Sequence, residues 1–141
     1  MEDKVTLKWQ EGMTFEGIVS GHKITIDADE KVGGKNSGPR PKALMLLALA
    51  GCTAMDVISI LNKMRMPYDD FSIDVVSNKS EEHPVVYTDF KILYKFKGKN
   101  LDLEKIKKAI DLSQERYCGV SAMYKNIEFI VTGKQIGRAH V

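Results

Sequence analysis

The chain has 141 residues and a nearly balanced charge, with 21 basic and 19 acidic side chains and a net charge of +2. This length suits one domain with a substantial core, so we expect a single domain over residues 1–141 with a loose tail at 133–141. The charge balance gives no reason to expect a nucleic acid or a membrane as partner. Two cysteines are too few for a disulfide framework, and no secretory signal precedes the first predicted strand, so we expect a cytoplasmic protein.

Three short strands are predicted before residue 30. Residues 4–9 alternate between apolar and polar side chains, which is the period of a half-buried strand with Val5, Leu7 and Trp9 facing the core. Two further strands, at 13–19 and 22–27, complete an antiparallel meander. The glycine-rich segment that follows, residues 29–38, is typical of a loop.

The stretch between Pro41 and Pro67 predicts a long central helix. Pro41 suits the first helical turn, and Pro67 disfavours helical geometry in the residue before it. Residues 43–55 carry no charge, which predicts a helix buried on nearly every side. This uncharged run is shorter than the about 20 apolar residues that span a membrane. One small domain could hardly cover so apolar a helix, so we expect a two-fold homodimer.

The second half of the chain predicts two strands, a helix and a last strand. The strands lie at 71–76 and 85–97, and Asp102 is expected to cap a helix that runs to about residue 117. Residues 125–132 alternate again as a strand. The predicted apolar faces are Phe90, Ile92, Tyr94 and Phe96 in the long strand and Leu103, Ile106, Ile110 and Tyr117 in the helix. The order βββ-α-ββ-α-β predicts an α+β fold with two antiparallel sheets around a long buried helix.

Few residues have a pattern that indicates chemistry. The sequence has no Cys-x-x-Cys and no cluster of His and Cys, so we expect no metal site and no cofactor. The pair Gly33-Gly34 lacks the lysine and hydroxyl of a phosphate loop. The two cysteines remain. Cys52 and Cys118 are either buried packing residues or a redox pair in which one thiolate attacks and the other resolves the sulfenic acid as a disulfide.

The segments GPRPKALMLLALAGCTAMDVISILNKMR and ERYCGVSAM, in this order of elements, resemble the family of osmotically induced protein C and the organic hydroperoxide resistance proteins. The resemblance extends from about Lys4 to Thr132 and is closer to the branch that carries G-P-R-P before the helix. It implies an intertwined homodimer with two sites at the interface. Cys52 would be the peroxidatic residue and Cys118 the resolving one, with an organic hydroperoxide as substrate and a lipoyl-type dithiol as reductant, in a stress response that gives hydroperoxide resistance.

The sequence departs from the family at the residues that hold the reactive thiolate. Better-known members have an arginine near the N-terminus and a glutamate ten residues before the reactive cysteine. Here the first arginine is Arg40, and Lys42 occupies the glutamate position, about 15 Å from Cys52 along a straight helix. Arg40, Lys42 and, from the partner subunit, Arg116 are the candidate cations. A break at Gly51, with Thr53 and Asp56 as a capping box, would instead place Cys52 at a helix N-terminus.

Two functions fit these observations. The first is a thiol peroxidase that reduces organic hydroperoxides through Cys52 and Cys118 at the dimer interface. The alternative is a non-catalytic dimeric protein that binds a small apolar ligand on the same scaffold, with both cysteines as packing residues. The missing arginine and glutamate favour the alternative, and the paired cysteine motifs favour the enzyme.

Overall fold

The computed structural model describes residues 1–124, 128–132, 134–135 and 139–140. The chain forms two compact units, residues 1–45 and 46–141. The strands are β1 (Thr6–Glu11), β2 (Thr14–Val19), β3 (His22–Ile26), β4 (Asp70–Val76), β5 (Asp89–Lys97), β6 (Glu128–Thr132), β7 (Lys134–Gln135) and β8 (Ala139–His140), and the α-helices are α1 (Pro41–Lys63), α2 (Leu103–Leu112) and α3 (Gly119–Met123). The predicted α+β fold, with two small sheets and a long helix, is confirmed.

The first unit contains a three-stranded antiparallel sheet in the order β1-β2-β3, which confirms the predicted meander. All six residues of β1 are exposed in the single chain. Leu7 is 52% exposed and Trp9 is 60% exposed, so the face that the alternation predicted to be buried is open. Alternation therefore identified the strand correctly, although among the described residues its apolar face stays exposed.

Asp27 organises the loop between β3 and α1. Its carboxylate is almost wholly buried and accepts hydrogen bonds from the hydroxyl groups of Thr14 and Ser37, at 2.9 and 2.6 Å. The backbone N–H groups of Ala28 and Ser37 donate to it as well. The Ser37 hydroxyl in particular holds the pKa of Asp27 well below its usual range. At Gly34 a Cβ atom would lie 2.0 Å from the carbonyl oxygen of Ala28, so this turn of the loop requires glycine.

The second unit contains the other sheet. Strand β4 pairs antiparallel with β5 over its whole length. Strand β6 pairs with residues 89–93 of β5 and runs parallel to it. A parallel pair needs a crossover connection, and α2 and α3, which lie between these two strands in the chain, form it. Strands β7 and β8 fall within the segment predicted to be a loose tail, and β8 pairs antiparallel with β5. Residues 125–127, the start of the last predicted strand, lie outside the described residues.

The core of the second unit lies between α1, β5 and α2. The predicted apolar face of β5 is confirmed, since Phe90, Ile92, Tyr94 and Phe96 are at most 1% exposed. Helix α1 is long and apolar enough to cross a membrane by length and composition, but the central helix of a compact protein passes the same test. Its buried residues recur every fourth position, as expected for one helix face: Leu49, Thr53, Val57 and Leu61. The other side of α1 keeps Leu47 and Met55 65% and 76% exposed in the single chain.

The second predicted helix changes its geometry before it ends. Asp102 caps α2 as predicted, and its side chain accepts from the N–H groups of Glu104 and Lys105. After Leu112 the chain makes a π-helical turn, Ser113–Tyr117. Because this turn holds more residues than an α-helical turn, it rotates the following side chains away from the apolar stripe. The prediction that Tyr117 belongs to the buried stripe is therefore wrong, and Tyr117 is 56% exposed.

Candidate active site

Helix α1 positions the first cysteine. The helix is continuous from Pro41 to Lys63, so the predicted break at Gly51, which would have placed Cys52 at a helix N-terminus, is wrong. Cys52 is half-buried and unbonded to any other cysteine. Asp56 lies one turn later, and residues four apart occupy the same helix face. The helix thus presents a thiol and a carboxyl side by side.

The second cysteine is positioned by the π-helical turn. Cys118 follows this turn in an extended conformation and caps the short helix α3. Its sulfur lies 3.4 Å from the backbone nitrogen of Ser121 and 3.1 Å from the Ser121 hydroxyl, and both groups donate to it. Cys118 is only 3% exposed. Burial raises the pKa of its thiol, the Ser121 donors oppose that effect, and the nearby Cys52 adds to it.

The fold brings the two cysteines together. The Sγ atoms of Cys52 and Cys118 and a carboxylate oxygen of Asp56 all lie within 4.8 Å of one another. A disulfide has an S–S length of about 2.05 Å, so rotation of the side chains must accompany bond formation. A disulfide also needs the two Cα atoms to lie within about 7 Å of each other, and we predict this separation for Cys52 and Cys118. Three groups that can supply protons or electrons therefore share one half-buried position.

A buried series of hydrogen bonds ends at the Asp56 carboxylate. Ser113 Oγ donates to Asp56 Oδ2 at 2.9 Å, and it therefore accepts from Thr53 Oγ1 at 2.8 Å. The Thr53 hydroxyl in turn accepts from the Tyr94 hydroxyl at 2.7 Å. Burial raises the pKa of Tyr94 to about 12, so this phenol stays a donor. Each of these three hydroxyl groups therefore donates its proton in the direction of Asp56.

Gln114 joins this series of hydrogen bonds to the second cysteine. Its Nε2 donates to Thr53 Oγ1 at 3.1 Å, and its Oε1 lies 3.0 Å from the Ser121 hydroxyl, which also contacts Cys118. No sequence pattern assigned Tyr94, Ser113, Gln114 or Ser121 to the site. The spacing of four residues between Cys52 and Asp56 was the available signal for the carboxyl group, whereas the hydroxyls come from distant elements and carry no pattern.

The basic residues proposed from the sequence have other surroundings. Arg40 donates to the Gly38 carbonyl at 2.7 Å and to Asn36 Oδ1 at 2.6 Å, and it lies 3.7 Å from the carboxylate of Asp29. Arg116 is exposed, and its guanidinium lies 5.8 Å from the centre of the Tyr117 ring. Lys42 lies in the first turn of α1. Their assignment to the thiolate stays a prediction.

An open cleft begins at Asp56. It has a volume of about 490 Å³ and runs beside the last turns of α1. Ile60, Met64, Leu112 and Tyr117 give it apolar walls, and Lys63 also lines it. An apolar cleft next to polar, reactive groups is the usual form of a small-molecule site.

Comparison with known proteins identifies the family of this chain. A family model described as OsmC-like protein matches residues 34–132. The chain belongs to the OsmC-like protein family. This OsmC-like chain is 38% identical over 118 residues to Protein YhfA of Escherichia coli strain K12, and the match covers 83% of this chain and 85% of YhfA. The family resemblance inferred from the sequence is confirmed.

Solved structures show the same fold. A hypothetical protein of Aquifex aeolicus VF5 is 29% identical and superposes with a TM-score of 0.81, covering 93% of both chains. A protein of Legionella pneumophila described as the organic hydroperoxide resistance protein OsmC superposes with a TM-score of 0.68 at 13% identity, covering 93% of this chain and 95% of that one. At that identity the second likeness shows the fold alone.

Proposed function

We propose that the chain is a thiol-dependent peroxidase that reduces organic hydroperoxides through Cys52 and Cys118. The observation that carries this proposal is the approach of the two sulfurs to within 4.8 Å. The cysteines come from α1 and from the start of α3, so their meeting is a product of the tertiary fold. The OsmC-like fold of a hydroperoxide resistance protein supports the same reaction.

The proposed reaction has two steps, the oxidation of Cys52 by the hydroperoxide and the formation of a disulfide with Cys118. The Cys52 thiolate attacks the distal oxygen of the hydroperoxide, the O–O bond breaks, and the alkoxide leaves as an alcohol after taking up a proton. Cys52 is then a sulfenic acid. The Cys118 sulfur attacks the sulfur of Cys52, a water molecule leaves, and a disulfide forms. A dithiol of the lipoyl type restores the two thiols by exchange.

Burial supports Cys52 as the attacking cysteine. Cys52 is half-buried, whereas Cys118 is 3% exposed and sits behind the hydrogen bonds of Ser121. The raised pKa of Cys118 supports this order, because a resolving thiol reacts only after the electrophile is in place. Cys52 is therefore the attacking residue.

Asp56 offers a proton acceptor where other family members use a cation. Its carboxylate lies within 4.8 Å of both sulfurs, and the Ser113 hydroxyl holds one of its oxygens. A carboxylate at this distance takes the thiol proton as peroxide arrives and passes it to the departing alkoxide. The apolar cleft that begins at Asp56 suits the organic part of the substrate.

The proposal includes a cytoplasmic homodimer with the site at its interface. Support comes from the apolar residues that the single chain leaves exposed on both units, including Trp9, Leu47 and Met55. Large exposed apolar side chains in such number are typical of a surface that another protein covers.

The test is a stoichiometric reaction with cumene hydroperoxide. Wild-type protein should lose both thiols and form an intrachain disulfide. Cys118→Ser should stop at a sulfenic acid on Cys52 that dimedone traps, and Cys52→Ser should leave Cys118 nearly unreactive. Asp56→Asn should slow the capture of dimedone in the Cys118→Ser background, whereas Asp111→Asn, which changes an exposed aspartate on α2, should not. Equal and slow oxidation of both cysteines would contradict the peroxidase.

A second function, the binding of a small apolar ligand, is favoured by the cleft of about 490 Å³. In that case the cysteines are packing residues, and the protein holds its ligand without consuming peroxide. Unreactive thiols together with saturable binding of an apolar fluorophore, lost when Ile60 is changed to a larger side chain, would establish this function instead.

A further inference from the structure

Cys52, Asp56 and Cys118 form a cluster of side chains of the metal-ligating type that no sequence pattern indicated. Each offers one ligand atom, and the three atoms lie within 4.8 Å of one another. Two come from one face of α1, four residues apart, and the third comes from the residue that caps α3. A ligand pair at this spacing on a helix plus one distant ligand is a common way to build a site from three side chains.

The charges around these three groups leave room for a cation. Within the described part of the chain, the ion pairs join Lys35 to Glu11, Arg40 to Asp29 and Lys95 to Asp74, and none of them includes Asp56. The hydrogen bonds that reach Asp56 and Cys118 come from neutral groups of Ser113 and Ser121. Two thiolates and a carboxylate at such short distances repel one another unless protons or a metal ion balance them.

The donor set selects the metal. Thiolate ligands favour soft or borderline cations, and zinc accepts sulfur together with a carboxylate oxygen. With Zn–S bonds of about 2.3 Å, two sulfurs of a tetrahedral site lie about 3.8 Å apart. The observed limit of 4.8 Å is compatible with that geometry after a small rotation of the side chains. Three protein ligands leave the fourth position of zinc open.

Hydrogen bonds from neighbouring serine residues hold two of the three proposed ligands. Ser113 holds Asp56 through one carboxylate oxygen, and no hydrogen bond from the described residues occupies the other. Ser121 directs its backbone N–H at the sulfur of Cys118, and its hydroxyl shares one proton between that sulfur and Gln114 Oε1; both donors stabilise a thiolate. Such outer hydrogen bonds fix the orientation of the ligands and strengthen metal binding.

We propose that the reduced protein binds one Zn²⁺ ion through Cys52 Sγ, Cys118 Sγ and the Asp56 carboxylate, and releases it when the two thiols are oxidised. The release step rests on the proposed peroxidase function, whereas metal binding by the reduced thiols does not. One hydroperoxide takes two electrons from the two zinc-bound thiolates and two protons from solvent. The products are the disulfide, one alcohol, one water and free Zn²⁺.

The experiment titrates the reduced, untagged, metal-free protein with Co²⁺ in the absence of oxygen. We expect one equivalent to bind and to give the near-ultraviolet band of sulfur-to-cobalt charge transfer, which Zn²⁺ then abolishes. Cys52→Ser and Cys118→Ser should each weaken that band, and Asp56→Asn should weaken metal affinity roughly 10-fold or more. The matched variant Asp111→Asn should bind like wild type. Circular dichroism of each variant checks that it is folded.

A measurement on unchanged protein keeps the test independent of folding. One equivalent of Zn²⁺ should slow the alkylation of both thiols by iodoacetamide, and stoichiometric cumene hydroperoxide should release the zinc to a chromogenic chelator. The absence of both the cobalt band and the protection would overturn the site. Equal affinity in wild type and Asp56→Asn would overturn the three-ligand set. Peroxidase activity in protein stripped by a chelator would leave the proposed function intact in either case.

Discussion

Replacing Thr53 with valine removes a buried hydroxyl and keeps the branched shape of the side chain. Thr53 is fully buried, and its hydroxyl is the acceptor for Tyr94 and the donor to Ser113. In the variant, Ser113 still donates to Asp56, but the Tyr94 hydroxyl loses the acceptor of its proton, because its other neighbour, Gln114 Nε2, is itself a donor. A buried donor left without an acceptor costs about 1–3 kcal/mol. We expect Thr53→Val to lower the free energy of unfolding by that amount.

A double-mutant cycle separates this cause from a loss of packing. Tyr94→Phe removes the donor itself and leaves Thr53 with Ser113 and Gln114, so it should cost only about 0.5–1.5 kcal/mol. In the Tyr94→Phe background, Thr53→Val should then cost less than it does alone, since the buried phenol donor is gone and the donor that still loses its acceptor, Gln114 Nε2, is only part-buried. Additive losses would refute the directed chain of hydrogen bonds.

The assay is equilibrium unfolding in urea at one fixed protein concentration, because self-association would otherwise change the apparent stability. The exposed Thr6 on β1 supplies the control, and Thr6→Val should change the free energy of unfolding by less than about 0.5 kcal/mol. A Thr53→Val variant as stable as this control would mean that the buried hydroxyl network contributes nothing to folding.

Three further predictions concern other parts of the chain. The pKa of Asp27 is lower in the folded state than in the unfolded chain, so the stabilising effect of its carboxylate is complete above the unfolded pKa, about 3.9, and is lost as the pH falls. Asp27→Asn should make the free energy of unfolding less dependent on pH in this acid range, and an unchanged dependence would contradict the prediction. Lys42→Glu should not raise peroxidase activity, since no arginine precedes Arg40 for a glutamate at this position to orient; a clear gain would mean that another cation replaces the family arginine. Sedimentation at micromolar concentration should show a dimer, because the exposed apolar side of α1 needs a partner to cover it. A stable folded monomer would refute a site at a dimer interface.

Local patterns were sufficient where short-range physics decides the outcome. The apolar alternation in β5 identified its buried face, and Asp102 caps α2 as its side chain predicts. Pro41 begins α1 because proline suits the first turn of a helix. The order of elements and the two cysteine motifs were sufficient to indicate the family, and the family model confirms it.

Local patterns failed where a choice depended on neighbours distant in the chain. Gly51 suggested a break, but α1 stays helical through it, because the helix is held by core contacts on both sides of that residue, including Leu49 and Val57. The regular stripe predicted for the second helix ends in a π-helical turn, which exposes Tyr117 and delivers Cys118 to the interior. A periodicity read from the sequence assumes 3.6 residues per turn and cannot register the extra residue.

The sequence by itself determined strands β1 to β6, helices α1 and α2, the positions of its cysteines and its membership of the OsmC-like family. Only the tertiary structure decided that Cys52, Asp56 and Cys118 meet within 4.8 Å and that buried hydroxyls stand behind them. The physical reason is that a helix or strand is specified by neighbours a few residues away. The site instead depends on how α1 packs against β5 and the π-helical turn, which no spacing along the chain encodes.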